Sequence, residues 1–141
     1  MRDNETIIRE LYAVAEGDQS NMETFVSAFT EDGYMTDIPA GAKLRGKAIG
    51  DYIGALSAAF PDIHRELFSV YATGDVVVAE LAIRGTHTGV LPLPSGSLAP
   101  TDQTIDVPCC DVFHLENGKV TSFHCYNAAS VMQQQLGLID T

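Results

Sequence analysis

The stretch Pro108–Asn127 constrains this chain more than any other. CysCysAspValPheHisLeu and ValThrSerPheHisCysTyrAsn are two runs rich in β-branched and aromatic residues. Asn117-Gly118 between them is a strong local hairpin signal. Asp111 lies inside the first arm among apolar neighbours, and an acid in a buried strand must be satisfied or functional. The register decides what Asp111 faces, because a one-residue slip turns every side chain over. A two-residue turn sets Glu116 opposite Lys119 and Asp111 opposite His124. A three-residue turn, Glu116-Asn117-Gly118, sets Asp111 opposite Phe123. The residues of the hairpin leave both registers open.

The rest of the chain reads as helices followed by strands. Residues 4–16 place Ile7, Ile8, Leu11, Val14 and Ala15 on one stripe, with Gly17 suited to end the helix. Ser20-Asn21-Met22-Glu23 is a capping box, and Met22, Phe25, Val26 and Phe29 then recur at helical spacing. GluAspGly at 31–33 breaks that pattern. A short strand over 34–38 puts Met35 and Asp37 on one face, and Pro39-Ala40-Gly41 ends it. A third helix from about Lys47 to Phe60 carries Ile49, Tyr52, Ile53, Leu56 and Phe60, and Pro61 stops it. Strands are predicted over 63–72, 76–88, 105–115 and 119–127, and a short helix over 131–136. A loop from Gly89 to Thr104 holds three prolines and two glycines; loops of that length often cover a site. This order implies an α+β fold, one domain over residues 1–141, with helices on one face of a mostly antiparallel sheet. Strong curvature of that sheet would leave a pocket, with Asp37 and Asp111 as the acids inside it.

Composition excludes several function classes. The net charge of -11 opposes non-specific nucleic-acid binding and docking on anionic membranes. No apolar run approaches the roughly 20 residues that span a bilayer. The N-terminus leads into an amphipathic helix rather than a signal peptide. Cys109, Cys110 and Cys125 are an odd set within predicted strands, which points to a reduced cytoplasmic compartment rather than a disulfide framework. No metal-ligand spacing, phosphate-binding glycine loop or serine-triad signature is present, so neither metal nor cofactor is expected.

Asp37 with Pro39, Gly46 opening a helix, AlaPhePro at 59–61, GlyThrHisThrGly at 85–89, GlyLysVal at 118–120 and GlnLeuGly at 135–137 together resemble the SnoaL-like polyketide cyclases of the nuclear transport factor 2-like superfamily. The resemblance implies a cone-shaped fold around a deep apolar pocket, and a homodimer. It favours the three-residue register, with Phe123, Cys125 and Asn127 facing the pocket and His124 and Tyr126 facing away. It also extends to the ketosteroid isomerases. Asp37 sits where those enzymes carry the proton-transferring base, and Asp111 where they carry the protonated acid of the oxyanion hole. Their oxyanion tyrosine maps near Glu10 or Leu11, with Tyr12 out of register. The cyclases' His and Asp on the last strand map to Phe123 and Cys125, and a further His maps to Asp111.

Two function classes follow. In the first, a cofactor-free enzyme moves protons on an apolar carbonyl compound: Asp37 is the base and Asp111 the neutral donor to enolate charge. Tyr12, Met35, His87, Phe113, Phe123, Cys125 and Asn127 are its candidate substrate-binding residues. In the second, a dimeric module holds a small apolar ligand without turnover. Each acid also has an ordinary reading: Asp37 as a strand-end carboxylate bonded to backbone, Asp111 as a buried acid satisfied by a neighbour. His87 has a second role open to it, bonding its own loop. His64, His114 and His124 read as surface or interface residues. Cys125 lacks a basic partner that would make it a nucleophile.

Overall fold

The computed structural model describes residues 3–17 and 21–139. Its first helix, α1 (Asn4–Ala13), is capped by Asp3, whose side chain accepts the Thr6 N–H at 2.8 Å. It is shorter than the predicted 4–16. After Val14 the chain turns toward the sheet, and Gly17 N–H donates to the Ile63 carbonyl. The second helix, α2 (Met22–Ser27), is capped by Asn21, which accepts from Thr24 N–H; Ser20 of the predicted capping box lies outside the described residues. Phe29 leaves this helix and opens the first strand, β1 (Phe29–Asp37). The acidic 31–33 segment is therefore not a break. It is an irregularity within β1, where the pairing register shifts between Phe29 and Tyr34. Gly33 is required there, since a Cβ would stand 2.7 Å from the Val120 carbonyl oxygen.

Pro39–Gly41 turns the chain into an unpredicted edge strand, β2 (Ala42–Arg45). Its exposed lysine and arginine suit an edge that must not pair further. The third helix, α3 (Lys47–Ala59), buries Ile49 and Ile53. Four longer strands follow it, interrupted by a small hairpin: β3 (His64–Thr73), β4 (Val76–Thr86), β5 (Leu91–Leu93), β6 (Gly96–Leu98), β7 (Thr104–Glu116) and β8 (Lys119–Asn127). A last helix, α4 (Ala129–Gln135), closes the described chain. The fold is α+β, as predicted. Six strands form one curved sheet in the order β2-β1-β8-β7-β4-β3, antiparallel throughout except where β1 runs parallel to β8. The predicted long loop contains the β5–β6 hairpin, and Leu91 buries itself beside Phe60, Ile105 and Leu136.

Neither predicted register describes the central hairpin. Asn117 and Gly118 both have positive φ, 51° and 77°, as a two-residue type I′ turn requires, and Glu116 faces Lys119. A bulge at Thr121 then adds one residue to β8. Beyond it Asp111 faces Cys125, rather than His124 or Phe123. The bulge restores the facing that the three-residue turn would have produced: Phe123 and Cys125 are buried, whereas Tyr126 is exposed. Along β7, Ile105, Val107, Cys109, Asp111, Phe113 and Leu115 all point inward, with more exposed residues between them.

Candidate active site

The concave face of the sheet carries one row of residues across five strands. Val70, Ala79, Asp111, Cys125 and Asp37 lie side by side on β3, β4, β7, β8 and β1. One strand separates the two acids, so their backbones stand about 10 Å apart. Both are buried, at 8% exposure for Asp37 and 3% for Asp111.

Each carboxylate is met by a tyrosine from a helix. Tyr12 of α1 donates to Asp111 Oδ2 at 2.7 Å, and Tyr52 of α3 donates to Asp37 Oδ2 at 2.5 Å. Tyr12 thus reaches Asp111 from the first helix. Its ring also packs edge-on against Phe113, which stacks in turn on Phe123 at 4.4 Å between centroids. Asn127 Nδ2 donates to Asp37 Oδ1 at 3.1 Å and to Cys125 Sγ at 3.4 Å. Cys109 Sγ donates to Asp111 Oδ1 at 3.2 Å and lies 3.7 Å from Cys125 Sγ. A continuous polar chain thus runs Tyr12–Asp111–Cys109–Cys125–Asn127–Asp37–Tyr52, walled by Met35, Phe113 and Phe123.

The electrostatics follow from burial. Desolvation raises the Asp111 carboxyl above its ordinary value, against the lowering by hydrogen bonds from Tyr12, Cys109 and Cys125 and by the charge of Arg65. Burial and the adjacent carboxylates also raise both tyrosines, so each stays a neutral hydrogen-bond donor. The Cys109 thiol is raised by its contact with Cys125, by burial and by Asp111.

Sequence reasoning missed Tyr52 and Cys109 as partners of the acids, and it missed Arg65. Arg65 is buried, points inward from β3, and its Nη1 donates to the Ala15 carbonyl at 3.0 Å. That bond satisfies an orphan carbonyl just beyond α1. The available signal was alternation: Ile63, Arg65 and Leu67 share one parity.

His87 is placed elsewhere. It is fully buried against Phe60, and its Nδ1 accepts the Thr101 backbone N–H at 3.1 Å, pinning the base of the β5–β6 excursion. The structure does not join it to the tyrosine–aspartate chain. Where the end of β8 meets β7, an open concavity of about 440 Å³ is lined by Glu80, Cys110 and Tyr126 of the convex face, with Pro108, Cys109 and Asn127 at its edge.

A family model described as a SnoaL-like domain matches residues 8–123. No curated protein sequence matches the chain. Among solved structures, a protein of ketosteroid isomerase-like fold from Catenulispora acidiphila, in complex with trimethylamine, superposes with a TM-score of 0.77 at 23% identity, covering 94% of this chain and 93% of that one. A SnoaL-like polyketide cyclase candidate from Jannaschia superposes at 0.82 with 18% identity, covering 97% and 93%. IdmH from Streptomyces antibioticus, another polyketide cyclase candidate, superposes at 0.78 with 20% identity, covering 96% and 99%.

Proposed function

We propose, from the premise that this chain belongs to the SnoaL-like domain family, that it is a cofactor-independent enzyme for enolising proton transfer on an apolar carbonyl compound. The observation that carries this reading is the shared row: Asp37 and Asp111 face one interior from β1 and β7, each already holding a tyrosine hydroxyl. A substrate carbonyl oxygen would insert between Tyr12 and Asp111, breaking their contact, so that the phenol and the protonated carboxyl both donate to it. Asp37 would remove a proton from the carbon beside the carbonyl. The C–H electron pair becomes the enolate π bond, and the carbonyl π pair moves to the oxygen held by Tyr12 and Asp111. Return of the proton from Asp37 to a different carbon completes an isomerisation. Attack of the enolate carbon on a second carbonyl in the same molecule forms a C–C bond and moves that carbonyl's π pair onto its oxygen, and the proton held by Asp37 passes to this alkoxide to complete an aldol-type cyclisation. Met35, Phe113 and Phe123 supply the apolar wall that excludes water.

Asn127 orients Asp37 and Tyr52 shares its other oxygen, so the base is held in place before substrate arrives. The working unit is a homodimer formed through the convex face of the sheet.

The test is deuterium incorporation next to the carbonyl of a β,γ-unsaturated cyclic ketone in heavy water, followed by mass spectrometry. Wild-type protein should accelerate exchange. Asp37→Asn should lower the rate about 10²–10⁴-fold, as loss of a general base does. A wild-type protein that binds a planar phenol yet catalyses no exchange would be a binding module for a small apolar ligand, and the enzymatic reading would fall.

A further inference from the structure

We propose that Cys109, Cys125 and Asp111 form a binding site for a borderline-soft divalent cation of the zinc class. The sequence has no ligand spacing of that kind, because the donors come from two strands and meet only through the bulged hairpin register. In the fold, the two sulfurs and a carboxylate oxygen all lie within 4.8 Å of one another.

The geometry favours this class of metal. Zinc–sulfur bonds of about 2.3 Å at tetrahedral angles place two sulfurs about 3.8 Å apart, and a sulfur and a carboxylate oxygen about 3.5 Å apart. The Cys109–Cys125 sulfurs are 3.7 Å apart, and Cys109 Sγ is 3.2 Å from Asp111 Oδ1. Two edges of a tetrahedral face are thus close to the required lengths, and the third, between Cys125 Sγ and an Asp111 oxygen, lies within 4.8 Å. Thiolate donors select zinc over magnesium or calcium, which take oxygen ligands.

The surroundings suit such a site as well. Tyr12 bonds the other oxygen of Asp111 and Asn127 bonds Cys125 Sγ, so two of the three ligands have an outer partner that fixes their orientation. Two thiolates and a carboxylate with a divalent cation leave one negative charge, and the positive charge of Arg65 is felt at Asp111. Binding releases the two thiol protons and the Asp111 carboxyl proton to solvent as the three groups coordinate. Three protein ligands leave a fourth position for water or a small donor. Asp111 cannot ligate the cation and donate to an enolate at once, so loading would silence the proton-transfer chemistry.

The experiment titrates the full reduced chain with Co(II) as a spectroscopic stand-in for zinc. One ion per chain should bind, with thiolate-to-cobalt charge transfer and intense tetrahedral d–d bands that Zn(II) displaces. Cys109→Ser and Cys125→Ser should each weaken binding by more than the roughly 10–100-fold that loss of an outer partner costs. Cys110→Ser should leave binding unchanged, because Cys110 points to the other face of the sheet. Thiol counting covers the case in which those two variants misfold: in mild denaturant, where the buried Cys109 and Cys125 of metal-free wild-type protein become open to alkylation, Zn(II) should shield two of the three thiols. A weak octahedral spectrum, binding that is lost with Cys110→Ser, or shielding of fewer than two thiols would overturn the site. None of these readouts depends on whether the chain catalyses exchange.

Discussion

Tyr12 and Tyr52 make the same kind of contact with the two acids but have different work in the proposed chemistry. Tyr12→Phe removes one of two donors to the enolate oxygen. It should lower kcat about 10²–10³-fold, as loss of an oxyanion-hole donor does. It also deprives buried Asp111 of a partner, which should cost about 1–3 kcal/mol in urea unfolding. Tyr52→Phe leaves the donors intact and releases one oxygen of the base, so its effect on kcat should be much smaller. Equal losses in steady-state exchange assays would remove Tyr12 from the oxyanion role. Both acids were legible in the sequence, because an aspartate at the inward parity of an apolar strand stands out. Tyr12 was not. Its reach to Asp111, 99 positions away in the chain, depends on how α1 is rotated against the sheet, which side-chain packing sets. Arg65 was passed over because an arginine on a strand is ordinarily solvated, even though its parity matched Leu67.

The helices and long strands were readable because their periodicities are unambiguous, but their ends and irregularities were not. The bulges at Gly33 and Thr121 have no local signature, and they arise where β1 and β8 must bend around the core. Gly33→Ala should therefore destabilise the fold by about 1–3 kcal/mol, since its Cβ meets a backbone oxygen that cannot move aside. Denaturant unfolding measures this, and an unchanged midpoint would mean that the bulge relaxes freely. A second element-level tie joins the end of α1 to β3. His64 Nδ1 lies 3.0 Å from Glu16 Oε2, and Nε2 lies 3.5 Å from Glu66. The hydrogen bond with Glu16 leads in raising the His64 pKa above 6.5, with Glu66 adding to it against slight desolvation. A base with a raised folded pKa adds stability in full below its unfolded value, and that stability is lost as pH climbs through the folded pKa. The stability gap between wild type and His64→Gln should accordingly be larger below about pH 6 than above about pH 8. The pair is half exposed, so added salt should narrow the gap. A gap that does not change with pH would show that the contact holds no proton-linked energy.

At the scale of the whole molecule, the two faces of the sheet divide the labour. The concave face holds the polar chain and the core, and helices cover it. Among the described residues no helix covers the convex face of β3, β4, β7 and β8, although it carries Tyr71, Val78, Val112, His124 and Tyr126 in adjacent rows. Tyr71 is 55% exposed and Tyr126 48%, and Phe68 at 61% extends the patch along β3. Aromatic side chains of this size rarely stay in water as a contiguous set unless a partner covers them. A two-fold pairing of this face with itself needs no second protein and closes on itself. A stable dimer of ordinary size buries roughly 600–1,000 Å² on each partner. The charge of -11 opposes close approach of two copies, and this face carries Glu66, Glu80, Asp106 and Glu116, but Tyr71 bonds Glu80, and Arg84 lies against Glu66 and Asp106. Wild-type protein should sediment as a dimer at micromolar concentration. Tyr126→Asp places a new charge at the centre of the face in each copy and should shift the equilibrium to monomer while leaving the circular dichroism spectrum unchanged. Because Tyr126 neighbours Cys125 and Asn127 in β8, the monomeric variant should also exchange substrate deuterium more slowly if the interface stiffens that strand. A wild-type monomer at these concentrations would leave the aromatic face open to a different partner and remove the dimer from the proposed working unit.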